Sequence, residues 1–258
     1  FRLLNLSVIY AVRPIYNLLL RTASKNDFTS VRVCVSGGAT LPVTIAQQFK
    51  AKFNIDILEG YGLSEASPVV AVNPLGKPKV GSIGKILPGL NVKLVNDDGE
   101  NVDLGEVGEL LVQGPTVMNG YFNLPEASAL AIIDGWLHTG DLAYKDSDDY
   151  YFIVDRLKDM IINNGENIYP REIEELLYTY PGVIEAAVVG IDDPLRGQTA
   201  AVYIVMSEDG VFDKKQIKKY LLDNLAIYKI PREFHQMSAL PKTSTGKILK
   251  RALSRQGK

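Results

Sequence analysis

VRVCVSGGATLPVTIAQQFKAKFNIDILEGYG, residues 31–62, decides the fold class. VRVCVS (31–36) is a short apolar run of the kind that forms a buried strand, and Gly37-Gly38 marks the turn that ends it. After Leu41-Pro42 the period lengthens, with Ile45, Phe49 and Phe53 recurring on one helical face. NIDILEGYG (54–62) returns to strand and runs into a loop. Strand, helix and strand in this order predict a parallel sheet, with ligands gathered at the carboxyl ends of its strands.

Upstream, residues 1–20 are apolar, but Arg13-Pro14 interrupts them and the run that follows is too short to span a bilayer. They also lack the small-residue cleavage site of a signal peptide. The segment reads as a helix packed on a core, in a cytoplasmic protein with no transmembrane segment. The chain opens on Phe1 rather than Met, as a piece of a longer polypeptide would.

Downstream, residues 77–156 change texture to short β segments punctuated by Gly and Pro. NVKLVNDDGENV (91–102) is a hairpin signal with Asp98-Gly99 in the turn, and ELLVQG (109–114) and DYYFIV (149–154) are further strands. One helix interrupts them, with Pro125 near its first turn. A small barrel or curved sheet fits this block. Residues 157–258 read as an α+β unit. Pro170 opens a helix carrying Ile173, Leu176, Leu177 and Tyr180, and Asp213 caps another carrying Ile217, Leu221 and Leu225. AAVVGI (186–191) and AAVYIVM (200–206) are strands, and a basic helix follows Gly246. The expected division is therefore 1–76, 77–156 and 157–258, in a multi-domain α/β protein.

Composition narrows the function. With 258 residues, 46% hydrophobic and 22% charged, the chain is long enough for several globular units. Its 28 Lys+Arg against 30 Asp+Glu exclude a global basic field for nucleic acid or an anionic membrane. Anionic ligands must be held by local charges. Cys34 is the only cysteine, which excludes a disulfide framework, and its apolar run reads it as a buried structural thiol. His138 and His235 are too few for a histidine-rich metal site or a hidden triad.

Four clusters can carry chemistry. Ser36-Gly37-Gly38-Ala39 offers bare backbone that a planar ligand can approach, or it is a plain tight turn. Lacking G-x-G-x-x-G, it is no dinucleotide fingerprint. In YGLSE (61–65), Tyr61 can stack on a base and Glu65 is a hard oxygen ligand suited to Mg²⁺ beside phosphates; alternatively they are core filling and a loop charge. In GWLHTGD (135–141), Asp141 can accept both hydroxyls of a ribose, aimed by a turn at Thr139-Gly140, or merely cap a local turn. In PKTSTGKILK (241–250), Lys247 presents a compact ammonium to phosphate, or belongs to a solvated basic tail. Ile248 in place of Ser/Thr excludes a Walker A loop.

Taken in order, SGGA, YGLSE, HTGDLAY, DRLKDMIINNGENIYPREIE and PKTSTGKILK resemble the motif set of the adenylate-forming (AMP-binding) superfamily, over essentially the whole chain. NNGENIYPREIE is similar to its acyl-CoA synthetase branch, of which this would be the C-terminal portion. The resemblance implies ATP-dependent activation of a carboxylic acid, expected to be a fatty acid, to acyl-AMP, then transfer to coenzyme A. It implies ATP, Mg²⁺ and coenzyme A as cofactors, and small-molecule partners. Gly37, Gly38, Ala39, Tyr61, Gly62 and Ser64 would form the adenine side of the nucleotide site. Asp141 would bind ribose, assisted by Arg156. Glu65 would hold Mg²⁺, and Lys247 would bridge the carboxylate and the α-phosphate. Residues 157–258 would be a mobile lid pivoting at Lys158, with Asn164, Gly165 and Glu166 entering for the thioester step. Ser64 stands where the family usually has Thr and keeps the hydroxyl, and Asp155 stands where Gly often precedes the arginine. The family's upstream phosphate loop is not within these residues. The alternatives are a non-catalytic nucleotide-binding fragment and a carrier-protein-linked adenylation module.

Overall fold

The computed structural model describes residues 5–38, 40–243 and 246–254, which divide into two units, Phe1–Val154 and Asp155–Lys258. In the first unit, β1 (Val8–Ala11), α1 (Arg13–Thr22), β2 (Val33–Ser36), α2 (Val43–Phe53), β3 (Ile57–Gly62), β4 (Val69–Val72) and β5 (Lys85–Ile86) build a sheet of order β1-β2-β3-β4-β5. Strands β1 to β3 run parallel, as the strand–helix–strand rhythm predicts, and β4 and β5 turn antiparallel. Residues 5–20 are not one helix. They split into β1 and α1, because Pro14 fits the first helical turn, where no N–H is needed.

Burial explains why these elements hold. Tyr16 and Leu19 of α1 and Ile45, Phe49 and Phe53 of α2 close over Ile9, Cys34 and Ile57 of the strands. Phe49 meets the rings of Tyr16 and Phe28 edge-on at 5.3 and 5.4 Å. Helix α2 stops at Asn54, which takes the left-handed conformation (φ 60°) and donates its N–H to Lys50 O. The Tyr16 hydroxyl donates to Val35 O at 2.8 Å, and burial pushes the Cys34 thiol up to about 12. The outward side of β1 and α1 is apolar: Tyr10 is 79% exposed and Leu18 54%.

The same unit continues with β6 (Asn91–Val95), β7 (Gly108–Gln113), α3 (Pro125–Ala131), β8 (Ile132–Ile133), β9 (Trp136–Lys145) and β10 (Tyr151–Arg156), the last two residues of which belong to the second unit. Their sheet has the order β10-β9-β7-β6, with β8 on β9. The Asp98-Gly99 turn forms, with Gly99 at φ 78° and Asn96 Oδ1 accepting from the N–H groups of Asp98 and Glu100. Its returning arm makes one bridge, Val95–Asn101, and β6 pairs along its length with β7 instead. A small core of Ala66, Val70, Val112 and Leu137, with Tyr61 and Ile86 against it, joins the two sheets.

The second unit holds β11 (Ile161–Asn163), β12 (Glu166–Ile168), α4 (Pro170–Tyr178), β13 (Val183–Asp193), β14 (Gly197–Met206), α5 (Lys214–Leu222), β15 (Glu233–Gln236) and α6 (Lys250–Leu253). The order is β12-β11-β14-β13, and β15, off this path, pairs in parallel with β14. Alternate residues of β13 and β14 feed opposite faces. Ala186, Val188, Val202 and Ile204 meet Ile173, Leu177, Ile217 and Leu221 of α4 and α5. Ala187, Val189, Ala201 and Tyr203 meet Leu240 and Leu253 from the tail. Covered on both sides, these strands read as unbroken apolar runs.

Candidate active site

Residues 136–141 of the GWLHTGD segment open strand β9, and the turn read at Thr139-Gly140 lies within that strand. Pairing with β7 overrides its glycines, setting Leu137 opposite Val112 and His138 opposite Leu111. The register then slips between Glu109 and Leu111, so β9 bulges at Thr139-Gly140-Asp141. Gly140 takes φ 68°, and Thr139 Oγ1 donates to Leu110 O at 2.6 Å while accepting the Asp141 N–H at 3.1 Å. Glu109 clamps the bulge from the neighbouring strand. One carboxylate oxygen accepts the Gly140 N–H at 3.0 Å and the other meets His138 Nδ1 at 2.9 Å. The bulge aims Asp141, only 5% exposed, so that its Oδ2 accepts the Tyr61 hydroxyl at 2.5 Å.

Tyr61 stands near the end of β3, where the chain doubles back. A Cβ on Gly62 would sit 1.8 Å from Pro68 O, so only glycine fits that return. Ser64 and Glu65 follow on a single 3₁₀ turn, Ser64–Ala66. Tyr121, from the loop before α3, donates its hydroxyl to Glu65 Oε1 at 2.9 Å, and Met118 N–H reaches Glu65 O at 2.8 Å. That bond to Glu65, helped by burial, holds the Tyr121 phenol above its ordinary pKa. At the end of β2, a Cβ on Gly37 would meet only Gly60 O at 3.9 Å, and one on Gly38 would meet nothing within 4 Å. Beside them the Ser36 hydroxyl is buried with no hydrogen-bond partner among the described residues. Ala39 lies outside the described residues. Within the first unit the fold therefore gathers Tyr61 with Asp141, and Glu65 with Tyr121.

The remaining residues singled out from sequence belong to the second unit. Arg156 is exposed, and so is Lys158, on the 3₁₀ turn Leu157–Asp159. Asp155 beside them is buried and accepts the N–H groups of Arg156 and Arg171, both at 2.8 Å. Burial pushes its carboxyl up against the pull of Lys250. Asn164 and Gly165, at φ 52° and 84°, form the two-residue tip of the β11–β12 hairpin, with Asn163 paired to Glu166. Next to the tip lies a cavity of about 480 Å³, lined among others by Asn163, Asn164, Arg196, Thr199, Tyr228 and Arg232. Lys247 is exposed; its carbonyl accepts Thr243 N–H at 2.8 Å and its N–H reaches Thr243 Oγ1 at 3.2 Å.

Sequence reading missed Glu109, Tyr121, Lys250 and Glu174, because each acts through a partner distant in sequence. The hairpin tip, by contrast, carried a local Asn-Gly signal that identifies such turns.

Residues 2–122 match the family model described as AMP-binding enzyme, and residues 172–247 the one described as AMP-binding enzyme C-terminal domain. The chain belongs to this family of adenylate-forming enzymes. A long-chain-fatty-acid–CoA ligase of Bacillus subtilis is 43% identical over 229 residues, covering 88% of this chain and 41% of the relative. A feruloyl-CoA synthase of an Amycolatopsis species is 41% identical over 232 residues, covering 89% and 47%. The crystal structure of ATP-bound MatB from Rhodopseudomonas palustris superposes with a TM-score of 0.93 at 30% identity, over 97% of this chain and 50% of that one. The chain thus spans about half the length of the curated relatives it matches.

Proposed function

We propose that this chain is part of an AMP-forming acid–thiol ligase that activates a carboxylic acid with ATP and passes the acyl group to coenzyme A. The observation that carries the reading is the hydrogen bond from Tyr61 to Asp141, which joins two motifs 80 residues apart. It leaves an aromatic face and a carboxylate side by side, matched to the base and the ribose diol of one nucleotide. The open backbone at Gly37-Gly38 and the orphaned Ser36 hydroxyl support the same placement.

In the first step a carboxylate oxygen attacks the α-phosphorus, and the bond to pyrophosphate breaks. Two anions at about 4 Å repel by about 4 kcal/mol at an effective dielectric of 20. Lys247 is the residue proposed to offset that repulsion, and Arg156 the one proposed to assist Asp141. Glu65 fits a Mg²⁺ carried on the nucleotide: Tyr121 fixes the carboxylate, and Mg²⁺ is commonly held by one or two carboxylates plus phosphates. When bound, the ion would neutralise phosphate charge. In the second step a thiol sulfur replaces AMP at the acyl carbon and its proton leaves to solvent. Arg196 and Arg232, beside the Asn164-Gly165 tip, would suit the phosphates of coenzyme A. Lys158 is the proposed pivot between the two steps, and residues 1–76, 77–156 and 157–258 the proposed subdomains.

The two relatives named above carry different acids in their names. A long-chain fatty acid is the first we would test, by ATP–pyrophosphate exchange with an acid panel, on this chain and on a version extended upstream. Exchange by the extended protein that is lost in Lys247→Ala is the expected result. Exchange with no acid, and no effect of Lys247→Ala, would replace the reading with a nucleotide-binding module.

A further inference from the structure

Lys247 is exposed and reaches the core only through its neighbours, so something must fix where it stands. Its segment is tied on one side by the bridge between Lys242 and Ile248 and by the ion pair of Lys242 with Glu185. On the other side, three residues on, Lys250 opens α6 and turns inward. Its ammonium meets Glu174 Oε1 of α4 at 2.7 Å. Glu174 in turn accepts the Val188 N–H at 2.8 Å, which anchors it to β13. Asp155 and Asp159, which flank the exposed Arg156–Lys158 turn, also act electrostatically on the same ammonium. Asp155 is itself held by the Arg156 and Arg171 N–H groups. One cation is thus paired with Glu174 of α4 and feels the charges of Asp155 and Asp159. Burial opposes its charge, yet Glu174 and Asp155 keep it above the ordinary lysine range.

We propose that Lys250 is a positioning residue: it locks the segment carrying Lys247 to α4, whose Arg171 N–H holds Asp155 at the head of the 155–159 turn, so that Lys247 and the proposed pivot move as one rigid piece. This rests on the function proposed above. Both side chains are partly buried, 23% and 15% exposed, so removing one partner would leave the other charge poorly solvated. The purpose of the pair is placement, because a catalytic group misplaced by about 1 Å can lose on the order of 10²-fold in rate.

The test uses the upstream-extended protein and separates the two half-reactions. Pyrophosphate exchange reports acyl-adenylate formation, which needs Lys247; conversion of supplied acyl-adenylate and coenzyme A to acyl-CoA does not. Lys250→Met should lower the kcat of exchange on the order of 10²-fold, with the KM for ATP unchanged and the thioester step intact. Lys250→Arg should restore exchange, and Glu174→Gln should reproduce the loss in milder form. Unchanged exchange in Lys250→Met overturns the inference, and so does a parallel fall in both half-reactions, which is what general loss of fold would give. Lys247→Ala distinguishes this from failure of the underlying reading. If that variant keeps full exchange, the proposed function falls and the inference falls with it.

Discussion

Cys34 is a thiol held where it cannot ionise, and that has a pH signature. In the unfolded chain a thiol loses its proton near 8.5, whereas the buried Cys34 keeps its proton up to about 12. Above about pH 8.5 the unfolded state therefore binds fewer protons than the folded one, and stability falls as pH rises. The fall approaches about 1.4 kcal/mol per pH unit. Tyr16 adds to it in the same sense, but only from about pH 10, where a free phenol begins to ionise. Urea titrations at several pH values should show a sloping stability between about pH 8.5 and 10 for the native chain, and a flatter one for Cys34→Ala. Equal slopes would mean that the thiol is accessible. A buried structural role was legible for this residue, because an isolated cysteine in an apolar alternating run has no partner to suggest anything else.

Strand β9 shows where sequence patterns stop being informative. Strands β2 and β3 and helix α2 were read correctly, because their apolar periods are dictated by the core they face. Residues 136–141 carry no such period. Thr139 and Gly140 belong to a bulge, and a bulge is defined by the register of another strand. The clamp residue Glu109 was invisible for the same reason, although it decides where Asp141 points. Glu109→Leu would strip the Gly140 N–H and His138 of their acceptor at a partly buried site, at a cost of about 1–3 kcal/mol. Glu109→Gln keeps one acceptor oxygen and should lose less. Chemical denaturation measures both, and fluorescent-nucleotide binding to the upstream-extended protein should weaken more in the Leu variant. Equal behaviour of the two would mean that the bulge does not depend on this carboxylate.

Each of the two units packs its own buried clusters. Residues from Asp155 onward close a sheet over apolar side chains on both faces, using only their own helices and tail. A fragment of residues 155–258 should therefore give a dispersed amide spectrum and a single cooperative melt. A molten fragment, with native-like far-ultraviolet dichroism but no cooperative transition, would show that the second core needs the first unit. Among the described residues no helix is long and apolar enough to cross a membrane. The strand–helix order, the motif order and the α+β texture of residues 157–258 were all legible beforehand. The cavity beside the Asn164-Gly165 tip was not, since Arg196 and Arg232 meet there only through the pairing of β14 with β11 and β15.

Strand β1 closes one edge of the first sheet, and its outward side chains, Val8 and Tyr10, are exposed alongside Leu18 of α1. An uncovered strand edge with apolar flanks is adhesive. For these 258 residues handled by themselves, concentration becomes an experimental variable in its own right. Light scattering should rise with protein concentration, and a lysine in place of Tyr10 should suppress it.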